Sequence, residues 1–327
     1  MEIASADRVE VITLVDDYIN GTLPGHDYAD RPKFDTVCFP MLPGEPMQAE
    51  FGWSALIKIT KGSNVHTILF DTSVGKQALL HNARVLNIDL KKIDALVISH
   101  GHPDHTAATF EVVSAITRDE LPIVLHPEAL SVRALVIPAY KQYEITRVAE
   151  YPAFLDEKRL HDVGGQLQKN VKPTSLASET ALVTGQIPRV TGYEKGMPPD
   201  THYIKKDGVL VHDPLIIDDQ SIVINLKDKG LIVISGCAHA GIINTLEYAK
   251  QITGINKIHA VIGGLHLSSR HYEQIMDWTI NSLRTINPDV VIPSHCTGLR
   301  AIIQIANKLP DAFVENSVGT TFRFGYW

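Results

Sequence analysis

The sequence predicts an α/β protein, an αββα sandwich of two mixed β-sheets flanked by helices. Three observations carry this. Each half of the chain runs through paired strands and then strand–helix units. Short apolar runs bounded by Gly, Pro and Asp alternate with stretches of helical apolar period. Histidines gather where apolar strands end, the place where sheets of this class build their sites. No linker rich in Gly and Ser interrupts the 327 residues, so one domain is expected over 1–327.

Composition narrows the function. The chain is 44% hydrophobic and 20% charged, enough apolar residue for a large core. Its net charge of −7 and the absence of Lys/Arg clusters beyond pairs such as Lys91-Lys92 argue against nucleic acid as a partner. No stretch approaches the roughly 18 apolar residues of a membrane span. Residues 1–7 lack the basic-then-apolar pattern of a secretory signal. Three cysteines, Cys38, Cys237 and Cys296, suit a reducing cytoplasm better than a disulfide framework. The expected partner is a small-molecule substrate.

Taken in order, 10–15 reads as a buried strand ended by Asp16-Asp17. A long loop follows to about residue 50, rich in Gly, Pro and Asp; it could cover a pocket or swap between subunits, which keeps a homo-oligomer open. Strands are expected at 51–59 and 67–71, paired through a turn at 61–64. A helix is expected at 76–86. The run Ala95 to Ile98 is a buried strand, and 106–116 resumes a helical period. A strand at 122–125 ends at His126, which reads more readily as a structural histidine than a functional one. Residues 140–205 carry little pattern. A strand and turn are expected at 184–189, where Arg189 is either a bidentate anion ligand or a solvated arginine. The second half offers strands at 221–226, 231–234, 258–262 and 290–293, and helices at 242–252 and 272–286.

Between the strand at 95–98 and the helix after it lies His100-Gly101-His102-Pro103-Asp104-His105. His100 and His102 are two apart on an extended end, so their rings point the same way and can share one ion. Asp104 and His105 sit at the next turn and face the cleft from another angle, which gives room for a second ion. Imidazole with carboxylate suits zinc, iron or manganese, and spacing alone does not choose among them. Three later strand ends each deliver another histidine: His239, His266 and His295. Small residues around them let the backbone turn sharply beside an ion.

The spacing His-x-His-x-Asp-His resembles the metallo-β-lactamase superfamily, and the resemblance extends from about residue 9 to 325. Phe70-Asp71-Thr72 and Ser294-His295-Cys296 stand at two more of its motif positions. Leu14-Val15-Asp16, Asn82-Ala83, Ile187-Pro188-Arg189, Ser235-Gly236-Cys237-Ala238-His239 and Gly263-Gly264-Leu265-His266 look like its dihydropterin aminobenzene-phosphate synthase-like branch. The branch has His-Gly where this chain has Phe51-Gly52. The resemblance implies two divalent ions. His100, His102 and His239 are expected at the first; Asp104, His105 and His295 at the second. Cys237 and Asp219 are weaker candidates for the third ligand of the first ion. Asp71 is expected to support the metal loop through hydrogen bonds, with a helix N-cap as the alternative.

The chemistry expected is hydrolysis of an ester, lactone or phosphoester by a metal-bridging hydroxide, with Asp104 steering the water and His266 as acid. The branch implies an alternative, a transferase joining a dihydropterin pyrophosphate to an aminobenzene ribosyl-phosphate, with Trp53, Phe51 and Tyr193 as candidate pocket walls. A metal-containing ligand sensor without turnover is a further alternative.

Overall fold

The computed structural model describes residues 1–32, 45–137, 147–198 and 201–326. Two large sheets face each other, and each changes from antiparallel to parallel pairing part-way across. In the first, the hairpin of Ser54–Lys61 and Asn64–Phe70 is central. Arg8–Val15, Thr321–Gly325 and Ala29–Asp30 extend it antiparallel on one side. Ala95–Val97, Leu121–Leu125 and Gly165–Lys169 extend it parallel on the other. In the second sheet, Thr174–Leu176, Ala181–Val183, Ser221–Leu226 and Gly230–Ser235 are antiparallel. Ile258–Gly264 and Val290–Ser294 then add in parallel, and Ser5–Ala6 pairs parallel to Ser221–Leu226.

The alternation of side chains along a strand decides the layers. Val9, Val11, Ala55, Ile57, Ile59 and Phe70 meet Ile222, Ile224, Ile232, Ile234, Ala260 and Ile292 between the sheets. The other face of the first sheet, including Leu56, Leu69, Leu96 and Ile123, packs on the helices Ala78–Val85 and Thr109–Ile116. The other face of the second, including Val223, Val233 and Val261, packs on Ile242–Thr253, Met276–Ile286 and Leu299–Lys308. Strands covered on both faces read as unbroken apolar runs, which is why they are visible in sequence. Each fully buried Leu, Ile or Val contributes about 1.5–3 kcal/mol.

A third sheet of four antiparallel strands, Val209–His212, His202–Lys206, Arg133–Ile137 and Arg147–Tyr151, was not expected. Its outer positions face water, as exposed Val209 and Val211 show, so no apolar run marks it. No strand covers 184–189; the strand there is Ala181–Val183. Residues 51–53 precede their strand rather than belong to it. The helix expected at 272–286 is broken into Arg270–Glu273 and Met276–Ile286.

Two long-range anchors hold the loops around the cleft. Asn82 donates to the carbonyls of Leu14 and Gln48, each at 2.8 Å, and accepts from Gln48 N at 2.8 Å. That fastens the end of the long loop; its stretch 33–44, with Cys38, lies outside the described residues. Glu194 accepts from the amides of Ile243 and Asn244 at 2.9 and 2.8 Å, so a distant carboxylate caps the helix Ile242–Thr253. Among the described residues no helix is long and apolar enough to cross a membrane.

Candidate metal centre

The cleft opens where parallel strands end. Ala95–Val97 leads to His100, Gly230–Ser235 to Cys237 and His239, Ile258–Gly264 to His266, and Val290–Ser294 to His295. The last three turns, and the one after Asn64–Phe70, are tight: Ala238, His266, His295 and Asp71 hold left-handed backbone, with φ of 57, 44, 46 and 60°. Such strain at non-glycine residues persists only where the surroundings impose it. Gly236 is required by packing, because a Cβ there would stand 2.2 Å from Ser99 Oγ and 2.8 Å from Asp71 Oδ2.

The hydrogen bonds fix which ring nitrogens are bare. Asp71 Oδ1 accepts from Ser99 N at 2.7 Å, and Asp71 Oδ2 accepts from Ser99 Oγ at 2.7 Å. The Ser99 hydroxyl proton is thereby committed. His100 Nδ1, 2.9 Å from Ser99 Oγ, must then be the donor of that pair. A neutral His100 is left with a bare Nε2, which faces His102 Nδ1 at 3.0 Å and His239 Nε2 at 3.1 Å. His105 Nδ1 donates to Asp71 Oδ2 at 2.7 Å, leaving its Nε2 3.1 Å from Cys237 Sγ. His295 Nδ1 donates to Asp17 Oδ1 at 2.9 Å, which turns its Nε2 toward Asp104 Oδ2 at 3.2 Å. Carboxylates that orient ligand imidazoles in this way are a recurrent feature of metal sites.

Protonation follows the same pattern. Burial, helped by neighbouring histidines, pushes His100 and His239 well below the usual imidazole range. Burial and then Arg133 bring His102 down to about 3. These rings are neutral with lone pairs available. Burial opposes charge on His105 and His295 too, but Asp104 and Asp71 raise the first, and hydrogen bonds donated to Asp104 and Asp17 raise the second. Asp104 stays ionised despite burial, because His105 and His295 lower it. Asp104 Oδ2 thus has His105 Nε2 at 3.6 Å and His295 Nε2 at 3.2 Å, donors that a divalent ion could take up in place of their protons.

Donor atoms fall into converging groups, each with all members within 4.8 Å: Asp104, His105, Cys237 and His295; His100, Cys237 and His239; and Cys237, His266 and Cys296. The residues fit divalent ions, with imidazole, carboxylate and thiolate donors. His102 stands beside the second group through the Nδ1 contact with His100. Asp219 joins none of these groups: its Oδ2 accepts from Ala240 N at 2.8 Å, and burial raises it to about 7. Asp218 is committed to Gly101 N at 2.7 Å and to buried Arg133 at 2.6 Å. Asp71 supports the loop and caps no helix. His126 likewise lies outside the groups and accepts from Glu128 N at 3.2 Å.

The cleft continues into a cavity of about 350 Å³, walled by Phe51, Leu135, Tyr151, Met197, His202 and His266 among others. Of the three aromatic residues expected to wall it, Phe51 does, its ring 5.4 Å from that of His295. Trp53 is fully buried in the core between the sheets. Tyr193 turns away, packing on Trp278 and bonding Ser282. Arg189 is no anion ligand here; it donates to the carbonyls of His239 and Leu215, holding the metal loop from behind. Tyr151 and His202 were not found from sequence, because the polar third sheet that carries them gives no signal.

Comparison with known proteins agrees with this fold. A family model described as a β-lactamase superfamily domain matches residues 66–174. A 7,8-dihydropterin-6-methyl-4-(β-D-ribofuranosyl)-aminobenzene-5'-phosphate synthase of Methanocaldococcus jannaschii is 28% identical over 326 residues, 99% of each chain. An uncharacterized protein of the same organism is 28% identical over 276 residues, 83% of this chain and 92% of that one. A solved metal-dependent hydrolase of the β-lactamase superfamily superposes with a TM-score of 0.67 at 21% identity, covering 97% of this chain and 99% of the other, a likeness of fold. With its two mixed sheets and the donors at their strand ends, the chain has the metallo-β-lactamase fold, and residues 66–174 are similar to the β-lactamase superfamily domain.

Proposed function

We propose that this chain is a metal-dependent enzyme that hydrolyses a small-molecule ester, lactone or phosphoester. One observation carries the reading: imidazole, carboxylate and thiol donors converge at one end of a cavity open to solvent, with ring nitrogens oriented by Asp71, Ser99 and Asp17. His100, His102 and His239 would hold one ion, and Asp104, His105 and His295 another, with Cys237 within reach of both. Divalent ions there, zinc first, supply Lewis acidity that activates water and polarises the oxygen under attack.

The chain's own residues bind and orient. Asp104, held ionised, aligns the attacking water. The Tyr151 hydroxyl, buried in the cavity wall without a partner, donates to a substrate oxygen. Thr201 Oγ1 gives its proton to the Pro198 carbonyl, so His202 Nδ1 is the donor of its 2.8 Å contact with Thr201. A bare His202 Nε2 then remains to accept from substrate; burial, then His266, lowers this ring to about 4 and keeps it neutral. Phe51, Leu135 and Met197 pack on the apolar body of the ligand. His266 lines the cavity, but its neighbours Cys237 and Cys296 give it another part, argued below.

The second reading is the transferase, favoured by likeness to the synthase along the whole chain. The two readings separate in one experiment. Protein reloaded with zinc or manganese is given an activated phosphodiester and an activated ester, and separately a dihydropterin pyrophosphate with an aminobenzene ribosyl-phosphate. Hydrolysis lost in His102→Ala supports the first. Coupling with pyrophosphate release, and slow ester turnover, supports the second. Binding without product in either assay contradicts both and leaves the sensor.

A further inference from the structure

His295 and Cys296 are adjacent, yet they serve opposite sides of the cleft. The left-handed turn at His295 sends its ring toward Asp104. Cys296 instead joins Cys237 and His266, and the three donor atoms lie within 4.8 Å of one another. Both thiols are buried and unbridged.

The surroundings are built to hold this trio. Gly264 has no side chain where a Cβ would stand 2.7 Å from Cys296 Sγ and 3.1 Å from Cys237 Cα, so the sulfur occupies that space. Thr297 Oγ1 accepts from Leu265 N at 3.0 Å, and the Cys296 carbonyl accepts from Ser268 N at 3.3 Å, which laces the two loops together. Cys296 Sγ donates to the Cys237 carbonyl at 3.5 Å. His266, itself in left-handed backbone, keeps a buried Nδ1 with no partner. A ring nitrogen of His266 lies within 4.8 Å of both sulfurs, and a buried ring nitrogen without a protein partner is what a ligand set offers an ion.

We infer that Cys237, Cys296 and His266 form a third ion position, rich in thiolate, beside the imidazole and carboxylate positions. Two thiolates and an imidazole balance a divalent charge and leave one coordination place facing the cavity. Thiolates select softer ions, zinc or cobalt, over manganese, whereas the Asp104, His105 and His295 set accepts harder ones. The cleft therefore sorts ions by softness across a few ångströms, and Cys237, shared by these three of the four converging donor groups, couples the positions. This takes His266 out of the role of leaving-group acid and into that of ligand.

The test uses Co(II) as the probe. Chelator-stripped full-length protein is titrated with Co(II) and read in the near ultraviolet, where thiolate coordination absorbs and imidazole or carboxylate coordination does not. A thiolate band is expected. It should lose about half its intensity in Cys296→Ser, as one of two thiolates is removed, and require a higher Co(II) concentration in His266→Gln. Melting of the stripped variants checks their fold, and His266→Gln, which keeps both sulfurs, carries the test if Cys296→Ser does not fold. No thiolate band in wild type overturns the inference. So does an unchanged band in the variants, which would place all the absorption on Cys237 at the other positions. The hydrolase reading fails separately, on absence of product, which this absorption does not report.

Discussion

Asp71 Oδ2 lies 2.7 Å from His105 Nδ1, and both side chains are fully buried. The carboxylate also takes both donors of Ser99. One residue thus fixes the tautomers of His105 directly and of His100 through the Ser99 hydroxyl. Replacing Asp71 by Asn removes the charge and one acceptor. Divalent-ion affinity should fall about 10–100-fold, and the metal-free chain should lose about 1–3 kcal/mol. Chelator competition and denaturant unfolding measure the two. Unchanged affinity would mean that the tautomers are set elsewhere.

Arg133 is buried with Asp218, and Asp218 holds the amide of Gly101 in the metal loop. Arg133 also pairs with buried Asp213 at 3.4 Å, so Arg133→Met strands two buried carboxylates and should cost about 3–5 kcal/mol or more. Arg133→Met with Asp218→Asn removes the closer ion pair, leaving Asp213, and should cost less than the two single changes summed. Additive costs in a double-mutant cycle would refute the coupling.

His102 contributes a pH dependence with a definite sign. In the metal-free folded chain it gains a proton near pH 3, against 6.5 as its ordinary value. Between those values the unfolded chain binds more protons, so this contribution is present above 6.5 and is lost as pH falls toward 3. His102→Asn should flatten the acid side of the stability profile in that window. A variant profile parallel to wild type would show that His102 is not held neutral.

Glu194 caps the helix that follows the His239 loop. Glu194→Ala should cost about 1–2 kcal/mol. Gly241→Ala should cost more, because Gly241 has φ of 94° and a Cβ there would stand 2.3 Å from Glu194 Cδ. Thermal melts of the two variants give the order directly.

The two large sheets and the run from His100 to His105 were legible because buried strands leave unbroken apolar runs and the donors follow them at once. His239, His266 and His295 were legible for the same reason. The third sheet was not: its strands are short and half-solvated, so Tyr151 and His202 carried no mark of the cavity they line. Trp53 and Phe51 look equivalent in sequence, yet one is in the core and the other at the cleft, because the strand begins only at Ser54. The position of Cys237 within reach of three donor groups depends on the turn at Ala238 and the bare Gly236, which spacing does not reveal.

The most direct test of the account is anomalous scattering from crystals of protein purified without chelator, recorded at the absorption edge of the metal that elemental analysis finds. The account predicts one peak among His100, His102 and His239 and a second among Asp104, His105 and His295. Bound metal with no peak at either place would contradict it.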